Sequence, residues 1–484
     1  MRSRPALALA LLLAGPAAAR PPSKALPLGP CQLGGDSSPV RVAARCGTLE
    51  VPEDRSRPGG RTIAVHVAVV DAESTSARPD PLFLLAGGPG QAASSAFPLA
   101  LAAFKRVGRS RDLVLVDQRG TGLSGRLGCP ALEDPRALDR SEAEELAAVE
   151  RCAADLSGHA DLRAYGTEAF ARDLDAVRAA LGYEKVNLFG ASYGTRAALV
   201  YARTFPDRVR ALVLDGVAPM EMAIGETFGE DAQRALEKDL ARCAADPACA
   251  ARYPALPADL RALVAELDRK PARVRLRDPL TAEPVAFELK GGATRSIVFL
   301  LLYAPETTSL LPALLREARA GDLAPLAAQG LIGGADAAGQ IALGLQLSVL
   351  CAEDVPFYGP APAGGAFLGN LVRDAFQKRC ARWPHAAPDP AFHRPLRSGV
   401  PALLLSGEDD PVTPPRWAEE AARDLPRSRH LVVPGAGHGT FVRGCMPRLI
   451  ARFLEAGSAE GLDASCLERW SPAPFFLDLA GPGP

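Results

Sequence analysis

Apolar residues recur along this chain with two distinct periods. In "RCGTLEVPEDRSRPGGRTIAVHVAVV", Ile63, Val65, Val67 and Val69 alternate with the opposite face, and a Pro-Gly-Gly turn precedes them, so the segment predicts a hairpin with His66 as a structural residue. Short runs rich in Leu or Val follow at 82–85, 113–116, 186–189, 211–214, 402–405 and 431–433, the length and composition of strands buried on both faces. Between the second and third of these runs the period changes. Phe170, Leu174, Val177 and Leu181 recur at helical spacing, with Thr167 as the candidate N-cap and Gly182 as the stop. Buried strands alternating with helices predict an α/β fold, with a mostly parallel central sheet flanked by helices and the opening hairpin as its antiparallel edge.

The strand rhythm breaks after residue 219 and resumes near 398. The interval 220–397 is mainly helical in pattern, as in "RALEKDLARCAADPACAARYPALPADLRALVAEL", and reads as a large cap inserted over the C-terminal edge of the sheet, where open α/β folds bind ligands. The core is then built from 20–219 and 398–484. Residues 1–19 carry Arg2 and Arg4, an apolar run at 6–14 and the small-residue site Ala17-Ala18-Ala19, the layout of a secretory signal cleaved after Ala19. That run and the apolar stretch at 297–305 are both too short to span a bilayer comfortably, so the expectation is an exported protein, secreted or periplasmic, without a membrane partner once the signal is removed.

Composition agrees with this and removes other classes. A chain of 484 residues with 48% hydrophobic content can bury a large core, and a formal charge of −1 without a basic stripe argues against a nucleic-acid partner. Ten cysteines in an exported chain predict disulfides, and neighbours in sequence suggest Cys31 with Cys46, Cys129 with Cys152, Cys243 with Cys249, Cys351 with Cys380 and Cys445 with Cys466, although spacing leaves the connectivity open. No C-x-x-C pair accompanies a histidine cluster, so neither a metal nor another cofactor is expected. Oligomeric state has no signature in the sequence.

The candidate chemistry lies at strand ends. Gly190-Ala191-Ser192-Tyr193-Gly194 follows the buried run at 186–189 and leads into Ala197, Val200 and Tyr201 at helical spacing. A strand-to-helix elbow of this kind puts a serine hydroxyl at an exposed apex, with glycines leaving room on both sides. A serine needs a histidine to take its proton and a carboxylate to orient that histidine. His438 sits in "LVVPGAGHGTF" just after one apolar run, and Asp409 and Asp410 in "LLLSGEDDPVTPP" just after the preceding one. Asp410 is favoured because it enters the Pro-Val-Thr-Pro-Pro turn, with Asp215 as a third candidate at the end of an earlier strand. The backbone N–H of Tyr193 and that of Gly88, in "LLAGGPGQAAS", are the candidate oxyanion donors, with Gly87 behind Gly88. A phosphate-binding glycine loop is the alternative for the latter segment, but no G-x-x-x-x-G-K follows.

Together, Gly87-Gly88-Pro89-Gly90, Asp117-Gln118-Arg119-Gly120, the elbow at Ser192, Asp410-Pro411-Val412-Thr413-Pro414-Pro415 and Gly437-His438-Gly439 resemble the proline iminopeptidase and tripeptidyl aminopeptidase branch of the α/β hydrolases. The resemblance runs from about Arg45 to Trp470. It implies Ser192, Asp410 and His438 as a triad and Gly88 and Tyr193 as oxyanion donors, with Asp117 and Arg119 bracing loops. Ala86 stands where proline iminopeptidases commonly carry a histidine before Gly-Gly-Pro-Gly, which leans toward the tripeptidyl-type relatives.

The expected function is therefore a secreted serine exopeptidase acting on peptides with a free N-terminus. A carboxylesterase or lipase on the same triad is the alternative, and a non-catalytic binding protein on a hydrolase scaffold is a second one. An aminopeptidase must recognise an ammonium group, and Glu353 and Asp354, after the apolar run in "LSVLCAEDVPF", are the candidate substrate-binding carboxylates. The bland alternative is a solvated acidic pair at a helix end.

Overall fold

The computed structural model describes residues 26–34, 40–57, 59–134, 140–361 and 366–481. The expected signal segment 1–19 and Pro58 of the expected hairpin turn lie outside the described residues. Among the described residues eleven strands follow in chain order: β1 (Gly29–Leu33), β2 (Val42–Pro52), β3 (Thr62–Val70), β4 (Leu82–Leu85), β5 (Leu113–Val116), β6 (Val186–Ala191), β7 (Val209–Asp215), β8 (Ala272–Arg277), β9 (Pro284–Leu289), β10 (Ala402–Gly407) and β11 (Ser428–Val433). Nine of them form one sheet in the order β1-β2-β3-β5-β4-β6-β7-β10-β11. The pairs from β1 through β3 to β5 are antiparallel, and those from β5 through β4 to β11 are parallel. This is the α/β-hydrolase arrangement.

The period-two rule explains how so short a strand as β4 serves two cores. Phe83 and Leu85 face a cluster with Val67, Leu174, Leu188 and Val200, while Leu82 and Leu84 face another with Phe189, Val213, Leu403 and Phe453. Helices Thr167–Ala180 and Tyr193–Thr204 cover the first face, and Met446–Ala456 covers the second. Each fully buried Leu, Val or Phe in these layers contributes roughly 1.5–3 kcal/mol relative to exposure, which fixes the strand ends where the chemistry sits.

Thr167 does not cap its helix as its sequence context suggests. The helix begins at Thr167, Gly166 occupies the cap position without a side-chain bond, and the Thr167 N–H donates to Glu353 Oε1 at 2.6 Å. A carboxylate brought in from a distant segment takes over the capping role at the positive end of the helix, where negative charge is favoured. Gly182 ends that helix segment as expected, with φ at +81°.

Between β7 and β10 the chain runs through helices that include Phe228–Ala245, Leu256–Arg269, Gly291–Leu301, Leu311–Arg319, Ala324–Gln340, Leu343–Glu353 and Leu371–Cys380. The first five share a separate core of Leu236, Leu260, Leu263, Val298, Leu314 and Leu326, whereas Leu343–Glu353 and Leu371–Cys380 contribute Leu345, Leu350, Cys351 and Cys380 to another that includes Leu156, Tyr165 and Tyr193. The apolar stretch at 297–305 belongs here, with Ile297, Val298 and Leu301 facing inward. Among the described residues no helix is long and apolar enough to cross a membrane. The β8–β9 hairpin is a departure from helical structure in this interval that the sequence pattern does not signal. All ten cysteines are paired, each with the neighbour in sequence.

Candidate active site

β6 ends at Ala191 and the next helix begins at Tyr193, which leaves Ser192 alone at the bend with φ 56° and ψ −127°. A non-glycine residue held at positive φ costs about 1–3 kcal/mol, so the surroundings must enforce it. The Ser192 N–H donates to the Asp215 carbonyl at 2.8 Å, and the Ser192 carbonyl accepts from the Thr195 hydroxyl at 2.6 Å. Glycine is required on both sides by close approach. A Cβ on Gly190 would collide with the Gly194 carbonyl, and one on Gly194 with the Leu85 carbonyl.

Asp410 follows the end of β10 and is buried. Its Oδ1 accepts from the backbone N–H groups of Val412 at 2.9 Å and Thr413 at 2.8 Å, and its Oδ2 from the Thr413 hydroxyl at 2.8 Å and His438 Nδ1 at 2.7 Å. With Asp410 as acceptor the proton sits on Nδ1, which leaves the Nε2 lone pair as the basic site. Burial alone would raise the Asp410 carboxyl, but the adjacent His438 and the loop N–H groups hold it below the ordinary range. Burial likewise opposes a charged His438, yet the charge and hydrogen bond of Asp410, with Asp215 further off, raise it above the ordinary imidazole value.

Shared neighbours link the segments that carry His438 and Ser192. Ser192 is bonded to Asp215, and a Cβ on the next residue, Gly216, would lie 2.9 Å from His438 Cε1. The His438 N–H donates to the Tyr303 carbonyl at 2.7 Å, and the two rings meet edge to face at 5.5 Å. Tyr303, Thr413 and Ser192 line one small cavity of about 50 Å³, and Gly88 and Tyr193 line it too. As the first residue of its helix, Tyr193 has a backbone N–H with no intrahelical acceptor, at the end of the helix that favours negative charge. Gly88 lies in a tight loop, φ +108°, whose Gly90 carbonyl accepts from Ala342 N–H at 2.9 Å.

The other acids have different work. Asp215 binds the Thr440 N–H and hydroxyl and the Phe441 N–H, so it fixes the turn just after His438. Asp409 lies 3.4 Å from Lys238 instead of facing His438. Asp117 holds the Ser94 N–H at 2.8 Å, and Arg119 forms a two-point pair with Asp173 at 2.7 and 2.8 Å, both bracing loops around the sheet end.

Glu353 and Asp354 are neither solvated nor among the residues lining the Ser192 cavity. Glu353 accepts from both the N–H and the hydroxyl of Thr167, at 2.6 and 2.5 Å, and Thr167 in turn bonds the Tyr193 phenol at 2.7 Å. Gln118 completes the chain by donating to the same phenol at 3.1 Å. Burial is the main reason the Glu353 carboxyl is pushed up to about 7, against the pull of its Thr167 bonds. Asp354 pairs with the buried Arg196 at 2.6 Å and accepts from Ile224 N–H at 2.7 Å. Tyr303 and Thr413 line the cavity without having been given a role from the sequence, and Thr167, expected only as an N-cap, joins Glu353 to the Tyr193 phenol. Only Thr413, inside the Asp410 turn, had a local signal. A larger cleft of about 1320 Å³ opens between β2 and the Thr167–Ala180 helix, but it shares no lining residue with the Ser192 cavity and is unrelated to this chemistry.

This geometry meets the comparisons with known proteins. The TAP-like protein family matches residues 366–466, and the alpha/beta hydrolase fold family matches 80–252. The chain is 32% identical over 453 residues to Carboxylesterase B of Mycobacterium tuberculosis, with 81% of this chain and 79% of that protein covered. It is a TAP-like α/β hydrolase. This hydrolase is also 29% identical over 483 residues to Serine protease Hip1 of Mycobacterium tuberculosis, covering 90% of each chain. Its identity to the Tripeptidyl aminopeptidase of Streptomyces coelicolor is 27% over 477 residues, covering 89% of this chain and 84% of that one.

Proposed function

We propose that this hydrolase is an exported serine exopeptidase that releases N-terminal residues or short peptides through an acyl-enzyme intermediate. The 2.7 Å bond from His438 Nδ1 to Asp410, beside a strained Ser192 that shares a cavity with Gly88 and Tyr193, is the observation that carries the reading. Ser192 Oγ attacks the scissile carbonyl carbon as its proton passes to His438 Nε2, and the oxyanion forms against the N–H groups of Gly88 and Tyr193. Collapse expels the amine, which takes the proton from His438 and leaves an acyl ester on Ser192. Water then attacks that ester with His438 again as base, releasing the carboxylic acid and restoring the hydroxyl. Asp410 stays ionised throughout and orients the imidazole. Five disulfides agree with an oxidising compartment, the destination proposed for a chain whose residues 1–19 act as a cleaved signal.

The peptidase reading draws on the protease and aminopeptidase among the relatives; the carboxylesterase among them supports an ester-hydrolysing alternative with the same triad. Glu353 and Asp354 are proposed contributors to ammonium recognition, held in place by their bonds to Thr167 and Arg196. A panel of free-amine and N-acetylated mono-, di- and tripeptide fluorogenic amides, with matched esters, tests it. Free-amine amides should be cleaved and acetylated ones spared, and Ser192→Ala should remove about 10⁶ in rate with the protein still folded. Equal cleavage of both amide sets, or hydrolysis of esters alone, would refute the exopeptidase.

A further inference from the structure

The loop that carries the proposed oxyanion donor Gly88 commits its other polar groups elsewhere. Gln91 holds Gly87 at two points: its N–H donates to the Gly87 carbonyl at 3.2 Å, and its Oε1 accepts from the Gly87 N–H at 3.2 Å. The Gly87 carbonyl and the Gly88 N–H belong to one planar trans peptide, in which the two groups point in opposite directions. Turning the carbonyl to Gln91 therefore sets the direction of the Gly88 N–H, on a residue that lines the Ser192 cavity.

Gln91 is held in turn by the segment between β7 and β10. Its Nε2 donates at 2.7 Å to Oε1 of Gln340, the last residue of helix Ala324–Gln340, and its backbone forms an antiparallel bridge with Ile341. The Pro89 carbonyl accepts from Gln346 Nε2 at 3.4 Å, and the Gly90 carbonyl from Ala342 N–H at 2.9 Å. So close an approach requires glycine in the loop, since a Cβ on Gly90 would lie 2.9 Å from the Ala342 carbonyl oxygen. The segment is itself anchored. Arg126 donates to the Ala338 and Ile341 carbonyls at 3.1 and 2.7 Å, and Glu133 accepts from Leu343 N–H at 3.1 Å.

We infer that Gln91 and Gln340 are positioning residues, whose bond lets the segment after helix Ala324–Gln340 aim the Gly88 N–H at the oxyanion. The inference rests on the acyl-transfer reading of the site and adds the side chains that hold one of its donors. Truncating Gln91 leaves its backbone bond to Gly87 and removes the other two, so the donor stays present but loosely aimed. The loss should then be about tenfold, smaller than the roughly 10²–10³ that follows removal of a donor outright.

The test uses the mature, disulfide-bonded protein with p-nitrophenyl acetate and a free-amine fluorogenic amide. Acylation and deacylation both pass through an oxyanion and should slow alike, so Gln91→Ala should lower kcat about tenfold while KM stays within about twofold. An alkyl trifluoromethyl ketone, which Ser192 adds to as a hemiketal with its oxyanion against the same donors, should bind about tenfold more weakly. Gln340→Ala should reproduce both losses, and the double variant should lose little more than either alone. Gln340→Glu, which keeps an oxygen for Gln91 Nε2, should recover most of what Gln340→Ala loses. Circular dichroism checks the fold of each variant. Folded variants with wild-type kcat and ketone affinity, or losses that multiply in the double variant, would overturn the coupling and leave the triad standing. These effects on the ester with no amide hydrolysis would overturn the exopeptidase and keep the coupling. A wild type that cleaves neither substrate and takes no fluorophosphonate label would overturn the triad reading and this inference with it.

Discussion

Replacing Glu353 with glutamine should make the protein more stable at alkaline pH and less active. The carboxyl is buried against Thr167, and its folded value is pushed from 4.5 to about 7, first by burial and then by the neighbouring Asp354, against the two Thr167 bonds and Arg196. An acid raised in the fold disfavours its ionised form there. Below pH 4.5 both states hold the proton and there is no penalty; as pH rises toward 7 the unfolded chain releases its proton first, and stability falls until the folded group has also titrated. At 1.36 kcal/mol per unit, the loss is on the order of 3 kcal/mol above pH 7. Glutamine has nearly the same shape and no charge, so the variant should match the wild type at pH 4.5 and exceed it by about 3 kcal/mol at pH 8.5. The activity goes the other way for a reason visible in the hydrogen bonds. With an ionised Glu353, protons run from Gln118 to the Tyr193 phenol, on to Thr167 and into the carboxylate. A glutamine Nε2 donating to Thr167 reverses the last two bonds and leaves the Tyr193 hydroxyl proton without an acceptor, directly below the elbow. Loss of one buried bond there is worth about 1–1.5 kcal/mol, roughly five- to tenfold in rate. Urea denaturation of both proteins at pH 4.5 and 8.5, with fluorophosphonate labelling rates at pH 8.5, measures the two effects. Parallel stability curves for variant and wild type would refute this account of the Glu353 environment, and a stabilised variant of undiminished reactivity would refute the link to the elbow.

Asp410→Asn should slow turnover by about 10⁴, because it removes the acceptor that fixes the His438 tautomer, whereas Asp409→Asn should change it little; steady-state kinetics on one fluorogenic amide separates them. Since His438 must be neutral to take the Ser192 proton and its value is raised by Asp410, kcat/KM should be full at high pH and fall as pH drops, with an apparent ionisation above 6.5. A pH profile with that limb at or below 6.5 would contradict the pairing. Reducing Cys351–Cys380, which closes a separation of 29 residues between helices Leu343–Glu353 and Leu371–Cys380, should cost roughly 3–4 kcal/mol, seen as a lower melting temperature for Cys351→Ser/Cys380→Ser.

The candidate nucleophile, base and acid stood out in the sequence because each lies within a few residues of a buried strand, and a strand announces itself by a run of Leu and Val. Ser192 needed only the glycines on either side, Asp410 its turn, and His438 its glycine-rich loop. The disulfides were equally local, since each joins cysteines close in sequence. The antiparallel edge was legible in the opening hairpin, β2 with β3. What the pattern could not supply were contacts between segments far apart. Glu353 and Thr167 are separated by 186 residues, and nothing in "LSVLCAEDVPF" distinguishes a solvated carboxylate from one that caps a distant helix. Tyr303 acts through a backbone carbonyl, which carries no side-chain signature at all. The size of the Ser192 cavity is set by Met222, Phe228, Tyr303 and Val412, which only the path of the inserted helices back over the sheet brings together. Hydrophobic period reports whether a residue is buried; which partner meets it there is decided by chain paths whose loops carry no such period.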